Sequence, residues 1–162
     1  MARADWLEAG TALLAGGGAA ALTIERLCVL TGRSKGAFYH HFGNMPAFEQ
    51  ALLGHWAEAN RARIRAAAGQ EAGALPELAL GLAAGLEQAV RRWAAVHAGA
   101  RAELAALDDL RMAWLAERLG GAETARLLYA AFIGLLELGG PEGVAAPLAL
   151  LRRSLPPGDD RP

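Results

Sequence analysis

The chain has one cysteine, Cys28, so it cannot close a disulfide within itself. That removes the strongest mark of a secreted scaffold and fits a reducing compartment. Inside an apolar pattern such a residue reads as a small buried hydrophobe. Lysine is equally scarce: Lys35 stands alone among sixteen basic residues, the rest being arginine. The formal net charge is only −1, which excludes a protein coated with nucleic acid over its whole surface. Met1 to Glu8 lacks the basic flank and long apolar run of a signal peptide. The longest apolar stretch, around Leu127 to Leu138, contains Gly134 and Glu137 and is too short to span a bilayer. A soluble, cytoplasmic protein with no membrane partner is therefore expected. No nucleophile stands beside a base at catalytic spacing, and no glycine-rich phosphate loop or metal-ligand cluster occurs. Neither enzymatic activity nor a cofactor nor a metal is expected. His40 and His41 do not alter this, because neighbours on a helix point about 100° apart and rarely share an ion.

Sustained alternation of polar and apolar residues is also missing, so strands are not expected. Apolar residues instead recur at three- and four-residue spacing, and they make up 54 % of the 162 residues. The punctuation is Gly and Pro. A first helix over residues 4–15 ends at Gly16-Gly17-Gly18. Thr23 caps a second helix reaching Leu30, with Glu25 where the helix dipole favours an acid. Thr31-Gly32 turns the chain, and Ser34 caps a third short helix to His41. Gly43-Asn44 breaks it, and Pro46 lies in the first turn of a fourth helix reaching Ala68. Residues 69–74 loosen the chain. Pro76 opens a helix to His97, and a less regular piece covers 101–107. Asp108 caps a helix to Leu119, stopped by Gly120-Gly121. A very apolar helix covers 123–138, and a last short one covers 147–155 before a disordered tail. The fold class is all-α.

Residues 1–68 hold seven basic and five acidic side chains, and residues 69–162 hold nine and twelve. A mildly basic first part on an acidic remainder suits nucleic-acid contact by the first part alone. The run from Thr23 to Phe42 places two short helices around a turn with one glycine. Leu27, Cys28 and Leu30 can face Phe38 and Phe42, with Trp6, Leu7, Leu13 and Leu14 as the third wall. Ser34, Lys35, Gly36, Ala37 and His40 then remain on the outside of the last helix. Short side chains let a helix backbone approach base edges in a major groove, and a few donors can read them. Tyr39 and the Thr23 hydroxyl suit phosphate contacts.

This stretch resembles the DNA-binding domain of the TetR family of bacterial transcriptional regulators. The likeness runs from the first helix through Gly32 and Ser34-Lys35-Gly36-Ala37-Phe38-Tyr39-His40-His41-Phe42 to the start of the fourth helix. It implies that Lys35, Gly36, Ala37 and His40 approach base edges. It also implies that Thr23, Tyr39 and His41 bind phosphates, and that Phe38 and Phe42 are core. Two positions depart from the family pattern. Arg33 stands where a small aliphatic residue is usual, and Met45 where a phosphate-binding lysine is usual. Arg33, in the turn, is a candidate to replace the lost charge.

The segment Leu127 to Leu136 resembles the family's penultimate helix, which packs into a dimer. It is apolar over most of its circumference, as a helix central to the core or covered by another chain must be. Leu128, Ala131, Gly134, Leu135 and Leu138 are the candidate dimer contacts. Trp93, His97, Trp114 and Tyr129 are candidate walls of a pocket for a small apolar or aromatic effector. Glu87, Arg91 and Arg92 read as solvated.

The expected architecture is a helix-turn-helix DNA-binding domain over residues 1–45 and a helical dimerisation and ligand-sensing domain over residues 46–162. The expected function is a ligand-responsive repressor that binds a palindromic operator as a homodimer. The alternative is a helical interaction protein of the same fold that has lost specific DNA binding.

Overall fold

A computed structural model describes residues 3–67, 84–119 and 121–139, and every regular element among them is helical. Helix α1 is Arg3–Gly17, followed by a single 3-10 turn at Ala19–Ala21. Next come α2 (Ile24–Thr31), α3 (Lys35–Phe42) and α4 (Met45–Ala67). Then follow α5 (Ala84–Val96), α6 (Ala98–Arg118) and α7 (Ala122–Gly139). The described residues fall into two compact units. One joins residues up to 59 with residues 85–104, and the other joins residues from 60 with those from 105 onward.

The short helices of the first unit hold their ends through local hydrogen bonds. The Thr23 side chain accepts from the Arg26 N–H and the Ser34 side chain from the Ala37 N–H, each at 3.3 Å. Both caps are extended residues that satisfy donors with no partner inside the helix. Between them Gly32 takes a left-handed conformation (φ 66°), which a side chain would strain. The Gly32 and Arg33 N–H groups both donate to the Cys28 carbonyl. Asn44 starts α4 the same way, its Oδ1 accepting from the Ala47 N–H at 2.8 Å.

An aromatic cluster holds these helices together. Phe38 is completely buried, and its ring meets Trp6 of α1 edge-on at 5.6 Å, Phe42 at 5.4 Å and Phe48 of α4 at 5.5 Å. Leu14, Leu27 and Leu52 are buried in the same unit. Gly10 on α1 allows the close approach: a Cβ there would lie 2.6 Å from the Phe48 ring and 3.2 Å from Leu52.

The second unit has a small apolar core of Phe132 and Leu136, flanked by Leu128, Tyr129, Ile133 and Leu135. Beside it lies a polar node. The buried Arg111 guanidinium of α6 donates to Asn60 Oδ1 of α4 at 2.9 Å and lies 3.1 Å from the Tyr129 hydroxyl of α7. It also lies 3.3 Å from Asp108 Oδ1, which accepts from the Tyr129 hydroxyl at 2.5 Å. A buried cation is tolerated only when its donors are satisfied in this way.

Several expectations are corrected. Residues 101–107 and 108–119 form one continuous helix, and Asp108 lies within it rather than capping it. A residue that favours helix starts was read as a start, but here its carboxylate serves the polar node. Leu30 is 55 % exposed and Cys28 only half-buried, so Leu27 alone carries the buried face of α2. Glu87 is buried rather than solvated, 2.9 Å from Arg91 one turn later. Residues 69–74, the helix start at Pro76, the short helix over 147–155 and the tail lie outside the described residues.

Two glycines should respond oppositely to a methyl group. Gly10→Ala forces its Cβ into the buried Phe48 ring and should cost about 1–3 kcal/mol. At Gly54, mid-α4, an added Cβ would meet nothing within 4 Å among the described residues, so Gly54→Ala should stabilise by up to about 1 kcal/mol. Urea unfolding of both variants checks the contrast. By the same measurement Arg111→Met should destabilise by about 3 kcal/mol or more, because Asn60 and Asp108 lose a buried charged partner.

Candidate nucleic-acid interface

The cluster around Phe38 turns the rest of α3 outward. Lys35, Gly36, Tyr39 and His40 are exposed, and they form two i,i+4 pairs that make a continuous strip along the helix. Tyr39 is 50 % exposed and its ring meets that of Phe38 edge-to-face at 5.7 Å. Arg33 and Ser34 are exposed in the turn before this strip. Ala37 and His41 are half-buried, with the His41 ring 5.6 Å from His40. Thr23 is half-buried at the head of α2, where its hydroxyl already serves as the cap. The predicted contact residues thus lie along the turn and the outer side of α3, with Thr23 at the neighbouring helix start. Met45 is the first residue of α4.

Sequence reasoning assigned Glu25 only to the dipole of α2. In the structure its carboxylate forms an ion pair with the Lys35 ammonium, ten residues away across the turn. The hydrogen bond from Lys35 holds the Glu25 carboxyl below its usual range, and the same bond holds the Lys35 ammonium protonated above its usual range. Helical periodicity gives no sign of such a pair, because the turn sets the register between α2 and α3. Opposite charges on either side of the turn were the only available signal.

The candidate effector residues divide between the units. Trp93 is buried in the first, its ring 4.9 Å from that of His97. His97 closes α5 as expected, its N–H donating to the Trp93 carbonyl at 2.9 Å, and it also starts α6. Its Nδ1 accepts from the Ala100 N–H at 3.0 Å, capping α6, while Nε2 lies 3.7 Å from Glu49 Oε2. Trp114 and Tyr129 belong to the second unit. Trp114 is half-buried with the Arg118 guanidinium 4.5 Å over its ring, and Tyr129 serves the polar node. Among the described residues the buried Trp114 Nε1 has no hydrogen-bond partner.

The candidate dimer residues lie on α7. Leu128 and Leu135 pack on the Phe132–Leu136 core, Ala131 and Gly134 are half-buried, and Leu138 is 90 % exposed. Among the described residues a Cβ at Gly134 would meet nothing within 4 Å. Among the described residues no three His, Cys, Asp or Glu side chains group to hold a metal, and no helix is long and apolar enough to cross a membrane.

Residues 7–52, from within α1 to the first turns of α4, match the family described as bacterial regulatory proteins, tetR family. The N-terminal domain belongs to that family. The chain therefore carries a TetR-family DNA-binding domain of the helix-turn-helix type, as transcriptional regulators do. The matched segment covers Phe38, Phe42, Phe48 and the strip on α3, with Trp6 one residue before it, so the TetR assignment and the geometry concern the same region. No curated protein and no solved structure matches the chain.

The two caps frame the turn, so their loss should loosen this domain first. Ser34→Ala and Thr23→Ala should each cost about 1 kcal/mol of stability. Thermal unfolding followed by circular dichroism checks this.

Proposed function

We propose that this protein is a homodimeric repressor that reads a two-fold operator through residues 1–45. Residues 46–162 then dimerise and hold a small apolar or aromatic effector. The observation that carries the reading is Gly36. A methyl group there would meet nothing nearer than Ser34 Oγ at 3.7 Å, so the fold has room for a side chain. Glycine in a helix costs up to about 1 kcal/mol relative to alanine. A glycine that the interior does not require, flanked by Lys35, Tyr39 and His40 on an exposed strip, suits close approach by a partner outside the chain. In a TetR-type domain that partner is the major groove, where Lys35, Gly36, Ala37 and His40 meet base edges. Thr23, Arg33, Ser34, Tyr39 and His41 then meet the backbone.

Pairing follows from groove geometry. One eight-residue helix reads few bases, and a symmetric dimer places two such helices one turn of DNA apart. The open face of α7 at Ala131, Gly134 and Leu138 suits the dimer contact, with Leu128 and Leu135 beside it. Trp93 and His97 in the first unit and, separately, Trp114 and Tyr129 in the second are the candidate effector residues, and the Trp114 N–H, without a hydrogen-bond partner among the described residues, suits an effector with a hydrogen-bond acceptor. Effector binding would alter the separation of the two reading helices through α4.

Gel-shift titration against genomic fragments at several salt concentrations tests the reading. The wild type should retain preferred fragments as salt rises. Gly36→Leu should be at least as stable as wild type yet lose those fragments by tenfold or more, because its side chain fills the space that a base edge needs. Unchanged binding by Gly36→Leu, or binding without sequence preference by the wild type, would favour the interaction-protein alternative.

A further inference from the structure

We infer that Glu25 is a specificity-determining residue, which neutralises Lys35 toward phosphates while leaving it able to read a base. The inference rests on the proposal that α3 enters the major groove.

Lys35 opens α3 and is the chain's only lysine, and its ammonium is held by the Glu25 carboxylate of α2. The fold has little need of this contact. The two side chains are 58 % and 65 % exposed, and an ion pair so open to solvent contributes little to folding. Each helix already has its own cap, from Thr23 and from Ser34. The contact acts instead on what approaches from outside.

Two kinds of approach are affected differently. A phosphate attracts Lys35 through net charge, and the gain comes largely from counterions released from DNA. With Glu25 bound, the pair is neutral as a whole and that gain is lost. A guanine presents O6 and N7, which are uncharged acceptors and require directed donors. An ammonium has three donors, and one is used by Glu25. The other two stay available, held in place by a carboxylate on the neighbouring helix. The pair therefore weakens binding to DNA at large more than binding at a site with a purine acceptor opposite Lys35. Met45, where the family pattern has a phosphate-binding lysine, lowers general affinity in the same direction.

The test uses the full chain, a random-sequence duplex, and the tightest genomic fragment that the wild type recovers. Glu25→Gln keeps the size of the side chain and removes its charge. It should melt with the wild type and bind the random duplex several-fold more tightly. The salt slope on that duplex should steepen by about one per protomer. The preferred fragment should gain less, so the ratio of the two affinities falls. In a Lys35→Met background Glu25→Gln should raise both affinities alike, by removing an unpaired negative charge, and leave their ratio unchanged. Equal gains on both duplexes, an unchanged slope, or an equally lowered ratio in the Lys35→Met background would overturn the inference while leaving the DNA-reading proposal intact. Absence of any DNA binding by both wild type and Glu25→Gln would overturn that proposal, and the inference with it.

Discussion

The DNA-binding domain depends on the burial of one ring, Phe38. It lies on the short helix α3, contributes no polar atom, and touches aromatic rings on α1, α3 and α4. An eight-residue helix is too short to persist in water by its own hydrogen bonds. Its orientation comes from this contact set and from the Gly32–Ser34 turn before it. Tyr39 and His40 are therefore presented outward because Phe38 and Phe42 are held inward. Offset and edge-on packing of such rings adds about 0.5–1.5 kcal/mol per pair beyond the area buried. It also sets a preferred angle, which a purely aliphatic core specifies less well.

The two ion-paired arginine and lysine sites show how burial separates structural from functional charge. Arg111 is surrounded by Asn60, Asp108 and Tyr129 within the second unit, and little water reaches it. Its charge is worth keeping there only because three neighbours satisfy it, so the node ties α4, α6 and α7 into one arrangement. Lys35 has one carboxylate partner and remains largely in solvent. An arrangement so open adds little to folding, and under the proposed function its consequences fall on DNA. Similar chemistry thus has different roles at the two sites, and exposure decides which.

Much of the fold could be read from local chemistry. Thr23, Gly32, Ser34, Gly43 and Asn44 mark helix ends through interactions with atoms a few residues away, and each does so in the structure. The strip on α3 was legible for the same reason, since it is what remains after Phe38 and Phe42 are assigned inward. Failures occurred where the deciding partner is distant in sequence. Asp108 has the local character of a cap, but Tyr129, twenty-one residues on, holds it inside a helix. His97 resembles an ordinary helix residue, yet its ring nitrogen caps the next helix. Leu30 was placed in the core by composition, although the register of an eight-residue helix allows only Leu27 full burial. Glu25 belongs with these cases, its partner being set by the angle of a turn.

Helix α7 carries this reasoning to the proposed dimer. Ala125, Phe132 and Leu136 are buried on one side, as a helix covering a small core requires. Leu127, Ala131, Gly134 and Leu138 recur at four, three and four residues, which places them together on the other side. Leu127 is 54 % and Leu138 90 % exposed, and both are large and apolar. A helix that needed only one covered face would place polar residues opposite its core. The stripe has small residues at its centre and leucines at its ends, so a second helix could approach closely at Gly134 and bury a leucine on each side of the crossing. Symmetry strengthens the argument. Two copies meeting at such a stripe face each other with the same surface, and the contact closes after two chains. Two recognition helices related by the same axis are what a two-fold operator requires, so the apolar stripe on α7 and the reading strip on α3 support the same assembly.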